Sequence, residues 1–115
     1  MSITVTLGKF TIPLVKPASF ATRTECRLAL GQSALLGLCA TLNACWGGGK
    51  PLKTKWKRGA ALDVGADTLD ELVALGVPEG EIYAAAQEAL SLVTEVPRED
   101  EVAALEGFTA APTGG

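Results

Sequence analysis

Histidine is absent from the 115-residue sequence, and its three cysteines, Cys26, Cys39 and Cys45, form no CxxC pair. The ligands that hold most protein zinc are therefore missing or wrongly spaced, and no metal site is expected. Without an imidazole, Ser33 and the cysteines also lack the usual base that turns a hydroxyl or thiol into a nucleophile. Aromatic residues make up only 5% of the chain, so the core has to be built from Ala, Leu and Val. That leaves the buried area per residue modest, and a partner or self-assembly is expected to complete it. The opening MSITVTLGKF has neither the charged start nor the apolar run of a signal peptide, so export is not expected. Three thiols in an apolar setting read as buried, free cysteines of a reducing cytoplasm.

Acid is also nearly missing from one half of the molecule. Residues 1–58 carry nine Lys or Arg against one acid, Glu25, whereas residues 59–115 carry Arg98 against twelve acids. The net charge of −3 hides this division. Such sorting suits pairing within the chain, or head-to-tail contact between copies, better than a nucleic-acid arm. At 48% hydrophobic and 20% charged residues the chain is too apolar to stay disordered, and its length suits one domain.

Residues 2–15 alternate Ile3, Val5 and Leu7 with Ser2, Thr4 and Thr6, then resume with Phe10 and Ile12 after Gly8-Lys9. Period two around a two-residue turn predicts a β-hairpin, with Pro13 confining its second strand to an edge. Lys16-Pro17 forces an extended exit. Thr22-Arg23-Thr24-Glu25 fits a capping box and predicts that a long central helix, 22–46, begins there. From Leu28 to Gly49 no charge occurs, long enough to raise a membrane span. Gln32, Ser33, Thr41, Asn43 and interior glycines make that stretch weakly hydrophobic, and Leu28, Leu35, Leu38 and Leu42 recur at helical spacing. A helix buried in a small bundle is expected instead, with Ala29, Gly31, Ala34, Gly37 and Ala40 allowing neighbours to approach. Gly47-Gly48-Gly49 should stop it.

The segment KPLKTKWKRG, residues 50–59, follows. Lys53, Lys55 and Lys57 alternate with Thr54 and Trp56, which predicts an extended loop with its lysines on one side. Phosphate contacts and stacking of Trp56 on a base are physically possible. Five charges make a small footprint, however, and no adjoining recognition helix is visible. In the acidic half, Thr68 and Glu71 fit a second capping box, Gly76 is placed to end that helix, and Val77-Pro78 opens another. Ile82, Ala85, Ala86, Ala89, Leu90 and Val93 mark one face of a helix running to about Thr94. Glu95-Val96-Pro97 breaks it, and Glu99-Asp100-Glu101 opens a short last helix with Phe108 beyond it as an anchor. Paired carboxylates at 79 and 81, or at 99–101, sit at helix starts, where the helix dipole accounts for them. Gly47-Gly48-Gly49-Lys50 lacks the spacing and the hydroxyl residue of a phosphate-binding loop.

LLGLC, then CWGGGKPL, then TLDELVALGVPEGEIYAAAQEALSLVTEVPREDEVAALEGFTAA resemble, in that order over residues 35–110, the small tail assembly chaperones and related minor tail proteins of long-tailed bacteriophages and phage-like elements. The resemblance implies a non-catalytic protein of the bacterial host cytoplasm that coats the tape-measure protein and recruits tail-tube subunits during assembly. The alternative is a structural virion subunit at the neck or tail terminus; a small DNA-binding protein is the least favoured.

The expectation is therefore an α+β, mainly α fold: an N-terminal β-hairpin over 1–15, then about four helices in a single domain, 1–110, with the acidic helical part at 63–107 and a flexible tail at 108–115. No catalytic, metal or cofactor residues are expected. Candidate partner contacts are Lys53, Lys55, Trp56, Lys57 and Arg58 in the loop, Ile82, Ala86, Leu90 and Val93 on the helix face, and Phe108. The expected partners are the tape-measure and tail-tube proteins and further copies of the chain, with nucleic acid disfavoured and no membrane.

Overall fold

Alternating branched residues put Val5, Leu7, Ile12 and Leu14 on one side of a hairpin and Thr4, Thr6 and Thr11 on the other, and the first set is buried while the second is exposed. The computed structural model describes residues 2–47 and 51–94. Strands β1 (Ser2–Leu7) and β2 (Phe10–Val15) pair antiparallel in the expected register, Val5 opposite Ile12 and Leu7 opposite Phe10. Gly8 takes φ +61 at the first turn position and Lys9 stays negative, the signature of a type II′ turn. Pro13 behaves differently from the edge residue expected. Its carbonyl accepts from Gly47 N at 2.9 Å and Val15 N donates to Cys45 O at 2.8 Å, so the outer side of β2 is covered by the chain leaving the helices. A Cβ at Gly47 would lie 2.8 Å from the Pro13 carbonyl oxygen, which is why a glycine stands there.

Helix α1 (Phe20–Gln32) starts earlier than the capping box at Thr22 suggests. Ser19 is the cap, its Oγ accepting from Thr22 N at 3.3 Å, and Thr22 and Glu25 lie inside the helix. The expected single central helix is two. Ser33, with φ −153 and ψ 114, leaves the helical region; its N–H donates to Ala29 O, and its hydroxyl accepts from Leu36 N at 3.2 Å to cap α2 (Ala34–Ala44). One residue thus ends one helix and starts the next, so the chain folds back on itself. Gly37 sits where a Cβ would come within 2.5 Å of the Leu30 Cα, so the two helices touch backbone to backbone at that point. Leu28 on the outer side of α1 and Leu35 in the first turn of α2, both expected inside, are 63% and 42% exposed, while Leu42 further along α2 is fully buried.

Helix α3 (Ala61–Ala74) also starts before the Thr68–Glu71 box. Thr68 is fully buried inside the helix and accepts a hydrogen bond from Asn43 Nδ2 at 3.0 Å. A Cβ at Gly65 would overlap the Leu36 carbonyl oxygen, so α3 crosses α2 at close range. Gly76, at φ +86, closes α3 as expected: Val77 N donates to Leu72 O and Gly76 N to Val73 O, with Val77 and Leu72 both buried. This pairing of two backbone bonds with an apolar contact is a Schellman motif. Helix α4 (Glu79–Val93) follows Pro78, with Glu79 and Glu81 in its first turn, where the dipole favours acids.

The described part is thus α+β and mainly helical, a hairpin followed by four helices. α2 lies at the centre with α1, α3 and α4 around it, and the hairpin packs on α4. None of the described helices is long and apolar enough to cross a membrane. The last helix expected to open at Glu99-Asp100-Glu101 and end at Gly107, Phe108 and the 108–115 tail lie outside the described residues, as do Gly48, Gly49 and Lys50.

Candidate interaction surface

From Leu52 to Lys57 the chain forms neither helix nor sheet, and its burial alternates residue by residue. Leu52 is buried and Thr54 and Trp56 are half-buried, while Lys53, Lys55 and Lys57 face solvent, as period two requires. Residues 53, 55 and 57 are spaced about 7 Å apart along such a segment, so the ammonium groups form a ridge.

The backbone beneath this ridge is held by side chains from three helices. Glu71 of α3 accepts from Lys53 N at 2.5 Å, from Thr54 N at 2.9 Å and from Thr54 Oγ1 at 2.7 Å. Asn43 of α2 donates to Thr54 O at 2.8 Å, and Glu25 of α1 accepts from Gly59 N at 2.6 Å. Gly59, at φ +81, makes the turn that allows this last contact. Burial works to raise the Glu71 carboxyl, but the Thr54 hydroxyl, the two amides and the Lys53 charge outweigh it and hold the group below its ordinary range. The two acids therefore bind the loop through its amides, which leaves the lysine chains on the outside.

Lys53, Lys55 and Lys57 share one cleft, of about 610 Å³, with Asp63 and Asp67 of α3. The charge sorting of the sequence is thus a local feature of the fold, a basic ridge beside the acidic start of a helix. Arg58 is exposed at the turn beyond the ridge. Trp56 packs against the core with its Nε1 buried and unpartnered, so it is mostly a packing residue and its ring is not displayed for stacking on a base.

The second proposed contact, the stripe on α4, is interior. Ile82 and Ala86 are fully buried, Val93 is 4% exposed, and Leu90 is half-buried against the same cluster. Its apolar face is occupied by the hairpin and α2, which corrects the expectation that a partner could be laid on it. The cysteines are free and buried. α2 is enclosed on several sides, so Cys39 and Cys45 are both interior despite lying on different faces. Burial pushes the Cys26 and Cys39 thiols up to about 11 and Cys45 to about 12, which keeps them protonated and unreactive at neutral pH. Among the described residues no group of His, Cys, Asp or Glu is arranged to hold a metal ion.

Sequence reasoning missed the anchors of the loop: Glu25, Asn43 and Glu71 lie far from it in the chain and carry no local signal. It also missed the exposed apolar side of α1, where Phe20 and Leu28 are 60% and 63% exposed. No family model, curated protein or solved structure matches the chain.

Proposed function

We propose that this chain is a non-catalytic tail assembly chaperone of a long-tailed phage or phage-like element, docking onto the tape-measure protein and tail-tube subunits while a tail is built. The observation that carries the reading is the lysine ridge, in which Lys53, Lys55 and Lys57 project from a backbone fixed by Glu71, Asn43 and Glu25. A ridge ordered before binding loses little conformational freedom on contact with an acidic helix or loop, which favours docking. The order of motifs over residues 35–110 supports the tail context.

Co-purification with a tape-measure protein from the phage or phage-like element that carries this chain tests the reading. The wild-type chain is expected to be retained. Replacing Lys53, Lys55, Lys57 and Arg58 together with serine is expected to lower retention at least tenfold. Recovery of the chain from purified particles would favour the structural-subunit alternative, and retention on duplex DNA that disappears with the same substitutions would favour nucleic-acid binding; either would overturn the proposal.

A further inference from the structure

The two strands of the hairpin have unlike outer edges. On β2, the backbone groups of Pro13 and Val15 point away from β1 and bond to Gly47 and Cys45. Because the register sets Thr4 opposite Pro13 and Ser2 opposite Val15, the same alternation turns the Thr4 N–H and C=O away from β2. The Thr6 pair points the same way. The sheet has only these two strands, and among the described residues nothing pairs with those groups. The strand itself, SITVTL, carries none of the lysines, prolines or bulges that proteins place on exposed edges.

Beside this edge runs a groove of about 370 Å³ between β1 and α4. Its floor includes the small side chains Ala84 and Ala85, and Glu81 and Glu88 stand exposed along its far wall. Glu81 already accepts from Gly8 N at 2.7 Å, which fixes that wall against the hairpin turn. We propose that the outer edge of β1 is a strand-accepting site for an extended segment of another protein that carries lysine or arginine at alternate positions. Thr4 and Thr6 supply the backbone pairing, and the carboxylates on α4 select the side chains. Cations two residues apart on a strand are about 7 Å apart, and Glu81 and Glu88, two helical turns from each other, are separated by about 10.5 Å; flexible lysine stems bridge that difference. Charge also decides against a second copy of β1. Two-fold pairing through this edge would bring both α4 helices alongside and place the Glu81 and Glu88 carboxylates of both copies in one groove, where like charges repel.

This inference names a surface by which the proposed assembly partner would be held, and it rests on that reading only for the partner's identity. The test uses the full chain and the acetylated, amidated hexapeptide Thr-Lys-Thr-Lys-Thr-Lys, with a second peptide in which glutamate replaces lysine. The lysine peptide is expected to slow hydrogen exchange at the Thr4 and Thr6 amides at least tenfold, and the glutamate peptide to leave it unchanged. Glu88→Lys should reverse that preference. Thr4→Pro removes an outward donor opposite a residue that is already proline, so the hairpin is expected to keep its amide spectrum while peptide binding is lost. Equal binding of the two peptides, or binding that survives both substitutions, would overturn the proposal. So would protection at Thr4 and Thr6 that rises with protein concentration in the absence of peptide, because it would put a second copy on the edge. Since the probe contains no tail protein, failure here is separable from failure of the co-purification.

Discussion

The segment from Leu52 to Arg58 and helix α4 are both amphipathic, one with period two and the other with period 3.6, but they are fastened to the fold by opposite means. α4 is held by its apolar side chains, with Ile82, Ala85, Ala86, Ala89, Leu92 and Val93 all buried. The lysine segment is held largely by its backbone, through hydrogen bonds to Glu71, Asn43 and Glu25. A face that anchors an element is not available to a partner, whereas a segment anchored by its amides keeps half of its side chains for other use. The distinction explains why an apolar stripe is a poor sign of a docking site in a small domain.

The largest test of the contrast is at a side-chain anchor. Ile82→Ala removes buried volume from a fully enclosed position and is expected to cost about 2–5 kcal/mol, read from the midpoint of urea unfolding. If α4 were instead a partner-facing helix, the change would be close to neutral. At the backbone anchor, Glu71→Ala removes the acceptor of the Lys53 and Thr54 amides, which water can partly replace at this exposed to half-buried site, and about 0.5–1.5 kcal/mol is expected to be lost. Faster exchange confined to those two amides would show that the loss lies in the loop.

Acid should expose the same anchor more gently. The folded state holds the Glu71 carboxyl below its ordinary value of 4.5, so its contribution is fully present above that pH and disappears as pH falls through the lower folded value. The stability gap between wild type and Glu71→Gln is therefore expected to be constant from pH 7 to about 5 and to narrow below that; a gap that widens in acid would refute the assignment. The smallest effect belongs to the ridge. Serine at Lys53, Lys55, Lys57 and Arg58 together is expected to move stability by no more than about 0.5 kcal/mol per site, because these are exposed side chains and the pull of Lys53 on Glu71 acts through solvent.

Much of this architecture is legible in the sequence where one local signal decides the outcome. The hairpin follows from alternation around Gly8-Lys9, the end of α3 from Gly76, and the span of α4 from Pro78 and its apolar period. The failures share a cause. A threonine three residues before a glutamate also occurs inside helices, and at Thr22 and Thr68 the pattern carried no information about where the helix starts. The true starts lack a distinctive marker: Ala60 caps α3 with no side-chain bond at all, and Ser19 is not followed three residues later by the Glu or Gln of a capping box. The lysines could be placed on one side of the loop from period two alone. What holds that loop could not, because Glu25 and Glu71 reach it only through the tertiary fold. The bare edge of β1 is likewise invisible until the chain following α2 is seen to cover β2 and leave its neighbour open.

Ser33 carries a wider consequence. The residues on either side of it, from Phe20 to Ala44, are all compatible with one uninterrupted rod, and no proline intervenes. The Ser33 hydroxyl and the fit of Gly37 against Leu30 therefore act with the Glu25–Gly59 hydrogen bond and the burial of Cys26 and Ala29 to hold α1 folded back along its own α2. In the straightened form the place of α1 would be vacant and open to the same helix from a neighbouring molecule, an exchange of arms between copies that requires no contact the folded chain does not already make.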